Sequence, residues 1–545
     1  MPRDFLPAIY PNDGHTVKSP DEDNATMNMQ GIILNNSKFG VMPRNEVFKD
    51  SSFTANNAAD RGRGITSFAG EDELHLDQDT YYYNGGSQDL TATSAPGYAN
   101  NTGFNDDYVA SFVRHNVSGV ENLVIVNAGD TSTNASATHG NIWYVADGAT
   151  APSSVSSSNL PCNNATAGDR VSITRGGASL DGYFFVADIE GKIYNSNLND
   201  ITTWTATDFL TAEREPDVGI YLGKHHDNIV YIGTRSIEFF YNAGNPDGSP
   251  LARRQDVSYR IGCYYPNSIV ENGDEIFFLG TTESGDCAIY LLKNFQLTQI
   301  SDVKINNRLR DFSVGDGINP DITSLVTGVG FERGCWGARV EAVHSKGYIF
   351  TFQTNFTYFW DEDLNIWFPW EFTTTPTYTG NLGNWANIFP IVSSNSNGSE
   401  TSHQFINGEY GKFTSGGDVD AINDLNESNA ANVWVKFALW DAGTDKKKRV
   451  KAVRVVCEPR LSSVSVYSPL DATFRFVKYD RLINAIAPPN TGYGTDRDIA
   501  LDVRGGRLFR FGTGRAWSFL LDFPVGHGEV TTIIGIEIDY EVVGE

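Results

Sequence analysis

The chain has 545 residues, a formal net charge of −26 at pH 7, and 53 Gly, 33 Phe, 24 Tyr and 10 Trp. A protein that grips DNA needs a basic surface to replace the phosphate counterions, so this charge argues against a conventional nucleic-acid binder. The many glycines and aromatic residues, without a long stretch of 3.6-residue periodicity, predict an all-β protein with little helix.

Residues 1–60 are polar, rich in proline, and show no strong strand alternation. They predict an extended N-terminal arm, or a segment that packs on a neighbouring chain. The first residues lack the apolar core and cleavage site of a secretory signal, and no run approaches the ~20 apolar residues of a spanning helix. We therefore expect a soluble protein, made in a cytoplasm, without membrane insertion.

A strand, a turn and a second strand rich in aromatic residues recur six times between Gly64 and Trp360. The marker residues are Tyr83, Tyr144, Tyr194, Tyr241, Tyr290 and Phe359, which are 61, 50, 47, 49 and 69 residues apart. Such steps suit one four-stranded unit per repeat, as in propeller blades. One unit cannot bury both faces alone, so we expect blades to stack around an axis, with aromatic rings between neighbours.

This pattern predicts a β-propeller of about six blades over residues 61–415. Its last hairpin, Ile388–Val392 with His403–Ile406, is expected to complete the first blade and close the ring. Unrelated hairpins in a sandwich or double sheet are the alternative, because the repeats share a pattern and not residue identity.

Residues 416–545 predict a C-terminal β-sandwich or platform domain that begins with a polar, acidic linker, 416–432. About seven segments alternate as strands. They are Val433–Leu439, Val450–Val456, Ser463–Tyr467, Thr473–Val477, Asp498–Val503, Ser518–Asp522 and Thr532–Tyr540.

No catalytic, cofactor or metal residue is assigned from the sequence. The common nucleophile, phosphate-loop, dinucleotide and zinc-protease motifs do not occur. A sialidase-type Asp-box is incomplete in the segment that starts at Ser196, which predicts an ordinary turn with a packed Trp204. The five widely spread cysteines predict reduced core residues. They are Cys162, Cys263, Cys287, Cys335 and Cys457.

Acidic and histidine clusters receive structural interpretations. The run from Glu71 to Asp79 alternates like a strand, so a solvated acidic face is favoured over a calcium site. Asp361-Glu362-Asp363 predicts a hairpin tip. His225 and His226 are adjacent and would point to opposite faces of a strand, so a surface turn is favoured over metal binding.

One basic cluster, Lys446-Lys447-Lys448-Arg449, continued by Lys451 and Arg454, contrasts with the acidic chain. A solvated, charged hairpin is one interpretation. The other is a contact with an acidic partner subunit or with a passing nucleic-acid backbone, which makes Lys446, Lys447, Lys448 and Arg449 the candidate contact residues.

Residues from about 228 to 309 resemble the packaged-DNA stabilisation proteins of short-tailed bacteriophages, also described as tail hub or nozzle proteins. The resemblance departs at Cys263, Asn267 and Phe277-Phe278. It is carried by Asn228–Gly233, Thr234–Phe240, Arg260-Ile261-Gly262, Tyr265–Ile269, Ile276–Gly280, Gly285, Ile289-Tyr290 and Gln299-Ile300-Ser301.

The resemblance implies a structural virion protein without enzymatic activity, located in the tail and made in the host bacterial cytoplasm. It implies a ring, as a hexamer, below the portal and adaptor, which continues the DNA channel and helps retain the genome. The implied partners are further copies of the chain, the portal-adaptor protein, tailspike or fibre proteins, a needle or plug, and, transiently, genomic double-stranded DNA. An acidic channel wall would let DNA slide without binding.

Two other functions stay open. A carbohydrate-binding or glycan-hydrolysing propeller of a phage tail would use exposed aromatic side chains. Its candidate residues are Trp204, Trp336, Trp360, Trp367 and Trp370. A cytoplasmic propeller that serves as a protein-interaction hub is the third.

Overall fold

The structure is a computed structural model of the chain. It describes residues 2–8, 25–27, 29–34, 38–43, 47–49, 62–68, 71–77, 80–83, 86–89, 110–117, 119–129, 139–147, 152–164, 169–212, 214–282, 286–303, 305–307, 309, 335–342, 345–352, 356–370, 391–394, 400–406, 409–413, 433–459, 470–479, 496–501, 506–523 and 531–543.

The described residues are almost entirely β-structure, as the composition predicts. Short 3-10 turns occur at Pro161–Asn163 and Pro266–Ser268, and a few helical residues lie between Val303 and Leu309. The N-terminal segment contributes five strands: β1 (Arg3–Pro7), β2 (Ala25–Met27), β3 (Met29–Leu34), β4 (Lys38–Pro43) and β5 (Val47–Lys49).

Six antiparallel sheets then follow in chain order. Sheet 1 is β6 (Gly62–Phe68), β7 (Glu71–Asp77), β8 (Thr80–Tyr83) and β9 (Gly86–Asp89). Sheet 2 is β10 (Ser111–Val117), β11 (Val120–Ala128), β12 (Gly140–Ala146) and β13 (Ser153–Ser154). A short strand, β14 (Arg175–Gly176), precedes sheet 3, which is β15 (Ala178–Leu180), β16 (Tyr183–Ala187), β17 (Lys192–Asn197) and β18 (Asp200–Thr211).

Sheet 4 is β19 (Gly219–His225), β20 (Asn228–Gly233), β21 (Ile237–Asn242) and β22 (Leu251–Tyr259), with β14 parallel to β19. Sheet 5 is β23 (Ile261–Cys263), β24 (Val270–Asn272), β25 (Glu275–Thr282), β26 (Cys287–Lys293) and β27 (Gln296–Gln299). Sheet 6 is β28 (Cys335–Ala342), β29 (Ser345–Phe352), β30 (Phe356–Asp361) and β31 (Ile366–Trp370).

A seventh sheet joins two distant parts of the chain. It contains β32 (Ile391–Ser394), β33 (Glu400–Ile406), β34 (Glu409–Phe413) and, beside β34, the N-terminal β5. The last hairpin therefore does not complete the first blade, because sheet 1 already has four strands of its own. The described residues thus form seven blade-like sheets where six aromatic markers predict about six.

The sheets pack in the order of propeller blades. β15 contacts β10 and β19, β28 contacts β24 and β32, and β32 also contacts β6, so sheet 7 lies against sheet 1. Apolar side chains fill the spaces between sheets; Phe277 of sheet 5, for example, stacks on Tyr348 of sheet 6 with ring centroids 4.3 Å apart. The β-propeller class is confirmed.

The six aromatic markers share one structural position. Each lies on the third antiparallel strand of its sheet, in β8, β12, β17, β21, β26 and β30 respectively. Most of those whose side chains are described are buried, but Tyr241 is 44% exposed. The spacing of the markers therefore reflects the strand order, and Tyr241 does not contribute to packing between blades as predicted.

The C-terminal strands form a sandwich with the N-terminal ones. They are β35 (Val433–Lys436), β36 (Lys448–Pro459), β37 (Leu470–Tyr479), β38 (Asp496–Leu501), β39 (Arg507–Gly514), β40 (Ala516–Phe523) and β41 (Thr531–Val542). Sheet 8 has the order β3-β4-β41-β36-β39, with β1 also paired to β41, and sheet 9 has the order β2-β35-β40-β37-β38.

The sequence predicts an extended arm for residues 1–60 without strong strand alternation, and the described parts of this segment form five strands. Strands with few residues and no clear alternation still form when they pair along longer strands, as β1 does with β41. Of the predicted C-terminal strands, six are confirmed and Ser463–Tyr467 lies outside the described residues; β39 was not predicted. The linker 416–432 also lies outside them, and the domain boundaries stay predictions.

The sandwich core also holds sheet 6 in place. Ile536 and Ile538 of sheet 8 and Phe519 of sheet 9 belong to one buried cluster with Phe359 and Trp370 of sheet 6. The Trp370 indole N–H donates to the backbone oxygen of Met29 at 2.7 Å. One continuous core therefore fixes the sandwich against the propeller sheets.

A substitution at Gly535 of β41 tests the pairing of this strand with β1. A Cβ at this position would lie 2.3 Å from the Leu6 backbone oxygen and 2.6 Å from the Phe5 ring. We predict that Gly535→Ala lowers the free energy of unfolding by about 1–3 kcal/mol, because β1 must shift. Chemical denaturation measures this loss. In a chain that starts at residue 9 the same substitution should cost little, and an equal cost in both chains would contradict the prediction.

Candidate functional site

The predicted basic cluster does not form one surface. Lys446, Lys447 and Arg449 are exposed, whereas Lys448 is buried. The Lys448 ammonium donates to the backbone oxygens of Asp441, Thr444 and Arg515, and desolvation lowers the pKa of this lysine. Lys448 therefore holds the turn before β36 together, which corrects its place among the contact residues. The contact role of the other three stays a prediction.

Ion pairs cover the solvent-facing side of sheet 8. Three carboxylates come from alternate residues of β41, between buried Ile538 and Tyr540. Five cations come from the strands on either side. We call these eight residues the basic ladder: Glu537, Asp539, Glu541, Arg3 of β1, Arg507 of β39, and Arg449, Lys451 and Arg454 of β36.

Each carboxylate of the basic ladder has two cationic partners. The hydrogen bond from Arg3 lowers the pKa of Asp539, and that from Lys451 lowers the pKa of Glu541. The atoms are close: Arg3 Nε to Asp539 at 2.8 Å, Arg507 Nη2 to Asp539 at 2.6 Å, Arg3 Nη1 to Glu537 at 3.3 Å, Arg454 Nη1 to Glu537 at 3.6 Å, Arg449 Nη1 to Glu541 at 3.1 Å, and Lys451 Nζ to Glu541.

Five cations against three carboxylates leave the basic ladder with a net charge of +2. Arg3 and Arg449 remain 52% and 55% exposed, so the guanidinium groups face solvent as well as their partners. Two exposed aromatic residues flank the basic ladder, Phe5 on β1 and Phe509 on β39. Exposed ion pairs contribute only about 0–1 kcal/mol each to stability. Arginine and aromatic residues together are typical of protein interfaces.

The charge of the chain is divided between its two parts. Residues 433–545 contain 16 Lys and Arg and 14 Asp and Glu, a net charge of +2. Residues 1–432 contain 25 and 53, a net charge of −28. The acidity that excludes a conventional DNA binder therefore belongs to the N-terminal and propeller parts, and the C-terminal part is close to neutral.

Exposed carboxylates collect at one edge of sheets 3 to 6. In each sheet the turn between strands one and two and the turn between strands three and four lie at the same edge, because successive strands are antiparallel. These turns carry five exposed aspartates, which we call the acidic rim: Asp181, Asp227, Asp247, Asp274 and Asp363.

Contacts between neighbouring sheets hold the acidic rim together. The Asn242 side chain donates to Asp181 at 2.8 Å, and the backbone N–H of His226 donates to Asp274 at 3.0 Å. At the opposite edge of sheet 4 and its connections, Arg214, Arg235 and Arg260 are exposed, and Arg260 pairs with Glu215 at 3.2 Å. In sheet 4, the exposed aspartates and these arginines therefore lie at opposite edges.

The histidine pair connects two sheets. His226 lies in a turn, 3.2 Å from Asp274, but His225 is buried, which corrects the prediction of a surface turn for both. The backbone N–H of Phe295 in sheet 5 donates to His225 Nε2 at 3.0 Å. Desolvation and the neighbouring His226 lower the pKa of His225 to about 4. A neutral His225 therefore joins sheet 4 to sheet 5.

Two buried aspartates complete turns. Burial raises the pKa of Asp188 and that of Asp361 to about 6. Asp188 accepts hydrogen bonds from the Lys192 backbone and the Tyr194 hydroxyl, and Asp361 accepts one from the Leu364 backbone. The turn predicted at Asp361-Glu362-Asp363 is confirmed. Raised pKa values accompany catalysis in some proteins, but these two groups have structural partners.

The tryptophans proposed for sugar binding are largely unavailable. Trp204, Trp360 and Trp370 are buried, and Trp367 is half-buried with its indole N–H bonded to the Ile300 backbone. Trp204 packs behind a turn, as the incomplete Asp-box predicts. The side chain of Trp336 lies outside the described residues. An exposed aromatic platform of these residues is therefore not present in the described part of the chain.

The described residues contain no group of three His, Cys, Asp or Glu side chains placed to bind a metal ion. Cys162 and Cys263 are buried, and burial raises the pKa of each thiol to about 12. The run from Glu71 to Asp77 is a strand, as predicted, but its side chains lie outside the described residues. Within the described part of the chain, no helix has the length and apolar character to span a membrane.

Residues 112–325 match a family model described as phage stabilisation, "Bacteriophage P22 Gp10, beta-propeller". This segment of 214 residues is therefore similar to the phage stabilisation family. It includes all of the segment from 228 to 309 that carries the resemblance, which is thereby confirmed. A structural phage protein located in the virion is the function class that this match supports.

Other comparisons add little. No curated protein matches the chain. The extracellular domain of a hybrid two-component system from B. thetaiotaomicron is 9% identical, with a TM-score of 0.39, and the match covers 75% of this chain and 42% of that one. A chain of the mitotic checkpoint complex is 7% identical, with a TM-score of 0.32 and coverage of 68% and 94%. A puromycin-hydrolyzing peptidase of Mycobacterium tuberculosis is 7% identical, with a TM-score of 0.34 and coverage of 72% and 61%.

Lys448→Met should lower the free energy of unfolding by about 3 kcal/mol, because three backbone oxygens lose their buried donor. Chemical denaturation measures the loss. Lys447→Met is the matched control: its side chain is exposed, so the change should stay within about 0.5 kcal/mol. Equal effects of the two substitutions would show that Lys448 has no structural role.

His225 should make stability depend on pH. Its pKa is about 4 in the folded protein and ~6.5 when unfolded, so the unfolded chain binds the proton first as pH falls. The contribution of neutral His225 is complete above pH ~6.5 and is lost progressively down to about pH 4. His225→Gln keeps an acceptor for Phe295 and removes the titration. Urea denaturation from pH 7 to 4 should then show a smaller loss than in the parent chain; parallel curves would exclude this role.

Proposed function

We propose that this protein is a tail hub or nozzle subunit of a short-tailed phage. In this role several copies form a ring below the portal and adaptor, continue the DNA channel, help to retain the packaged genome and anchor spikes, fibres or a needle. The match of residues 112–325 to the phage stabilisation family is the observation that carries the proposal.

The distribution of charge supports a channel that DNA passes through without binding. Residues 61–432 contain 20 Lys and Arg and 45 Asp and Glu, a net charge of −25. A wall with this charge repels phosphate groups, whereas a protein that holds DNA needs cations along its contact surface. The propeller sheets provide a rigid β-structure for such a wall, and the sandwich supplies a second, less acidic surface for other tail proteins.

A phage that carries a stop codon in this gene tests the proposal. Particles made without the protein should package DNA but lose it, because the exit of the capsid is not closed. Nuclease-protected DNA per capsid, measured by quantitative amplification, should fall strongly, and the protein supplied from a plasmid should restore it. Particles that lack the protein yet keep a full genome and infect normally would contradict the proposal.

A further inference from the structure

We propose that the basic ladder of one copy binds the acidic rim of a second copy. The inference rests on the proposed function in one respect, since a channel subunit must associate with further copies. Beyond that function, the proposal names the two surfaces that meet, and the described residues define both of them.

The basic ladder is an extended row of ion pairs that crosses four strands. Glu537, Asp539 and Glu541 project at alternate positions of β41, so the ion pairs form a regular, extended surface on sheet 8. The register places Phe5 beside Glu537 and Arg507 beside Arg454, which brings four strands into one row. An extended row of this kind, with exposed side chains from four strands, suits another protein surface better than a small ligand.

The basic ladder keeps a positive charge after its internal ion pairs are counted. Each carboxylate of the basic ladder is already paired with two cations, yet the surface keeps a net charge of +2 and about half of Arg3 and Arg449 stays exposed. A guanidinium has five N–H donors, and Arg3 uses its Nε and Nη1 groups for Asp539 and Glu537. An approaching carboxylate therefore meets donors held in fixed positions, and the ion pairs reduce the conformational entropy that binding would otherwise cost.

The acidic rim is the surface of the chain that complements the charge of the basic ladder. It presents five exposed aspartates at one edge of consecutive sheets, and hydrogen bonds from neighbouring sheets hold two of them, Asp181 and Asp274. Asp227 and Asp274 lie in the turns of adjacent sheets, which His226 joins. The exposed carboxylates of the acidic rim complement the exposed cations of the basic ladder, and charge complementarity of this type determines orientation and association rate.

The two surfaces determine the type of contact between copies. The basic ladder and the acidic rim are different surfaces of one chain, so the contact is heterologous, and each copy has one surface of each kind to offer. Heterologous contacts produce closed rings when the rotation between copies closes, and filaments when it does not. The exposed Phe5 and Phe509 would supply the apolar contact that charged surfaces alone lack.

Analytical ultracentrifugation of the purified full-length chain tests the proposal. Arg449→Gln with Arg507→Gln removes two charges from the basic ladder, and Asp227→Asn with Asp247→Asn removes two from the acidic rim. Each double variant should weaken self-association about tenfold, and 0.5 M salt should weaken the parent chain in the same way. The matched control, Arg235→Gln with Arg260→Gln, removes two charges from the opposite edge of the sheets and should leave association unchanged.

Zero-length carbodiimide cross-linking provides an independent measurement. In a mixture of copies labelled with different isotopes, mass spectrometry should find Lys451 of one copy joined to an acidic-rim aspartate of a copy with the other label. This shows that the cross-link lies between copies and not within one. A monomeric parent chain, equal effects of control and test variants, or association that the test variants leave unchanged would each overturn the proposal. Thermal unfolding of each variant separates misfolding from a lost contact.

The outcome is distinguishable from failure of the proposed function. Rings that form normally in the basic-ladder variants, in a protein that the phage needs for genome retention, would overturn only the assignment of the two surfaces. A phage that retains its DNA without the protein would overturn the tail role and would leave the measured contact between copies intact.

Discussion

β41 is the strand on which the arrangement of both parts of the chain depends. It pairs with β36 on one side and with β1 and β4 on the other, so the last strand of the chain holds the first ones in the same sheet. Its inward side chains enter the core shared by the sandwich and sheet 6, while its outward carboxylates organise the basic ladder. The twelve residues of β41 therefore take part in strand pairing, in core packing and in the charge of the surface.

The N-terminal segment links the sandwich with the propeller. It adds strands to sheets 8 and 9 and then, through β5, supplies the outermost strand of sheet 7. Contacts of β2 and β3 with β31 and the bond from Trp370 to Met29 join the same segment to sheet 6. A propeller whose last sheet takes a strand from the start of the chain has fewer open edges, and an open edge invites pairing with other chains. The segment thus gives the two parts a common, fixed orientation.

Local patterns were predictable, and pairings over long sequence distances were not. Alternation and aromatic spacing identify the strands of sheets 2 to 6, since each of these sheets uses neighbouring segments and leaves a repeated signal. The hairpin of β32 and β33 in sheet 7 was also predicted, but its pairing with β5 leaves no local signal, because β5 and β34 are more than 350 residues apart. The basic cluster was identified as consecutive residues of the sequence. In the structure, three of the five cations in the basic ladder come from β36 and the other two from β1 and β39. Arg3 and Arg507 carry no sequence signal for that role.

The sequence by itself determined the all-β class, the repeated four-stranded unit, the acidity and the resemblance over residues 228–309, because each depends on composition or on neighbouring residues. Only the tertiary structure decided how many sheets follow one another, where the N-terminal strands go, and which charges share a surface. It also separated buried Lys448, the first residue of β36, from exposed Lys447 in the turn before it, because burial depends on what folds over a side chain. Charges that are far apart in sequence become one surface only when strand register brings them together.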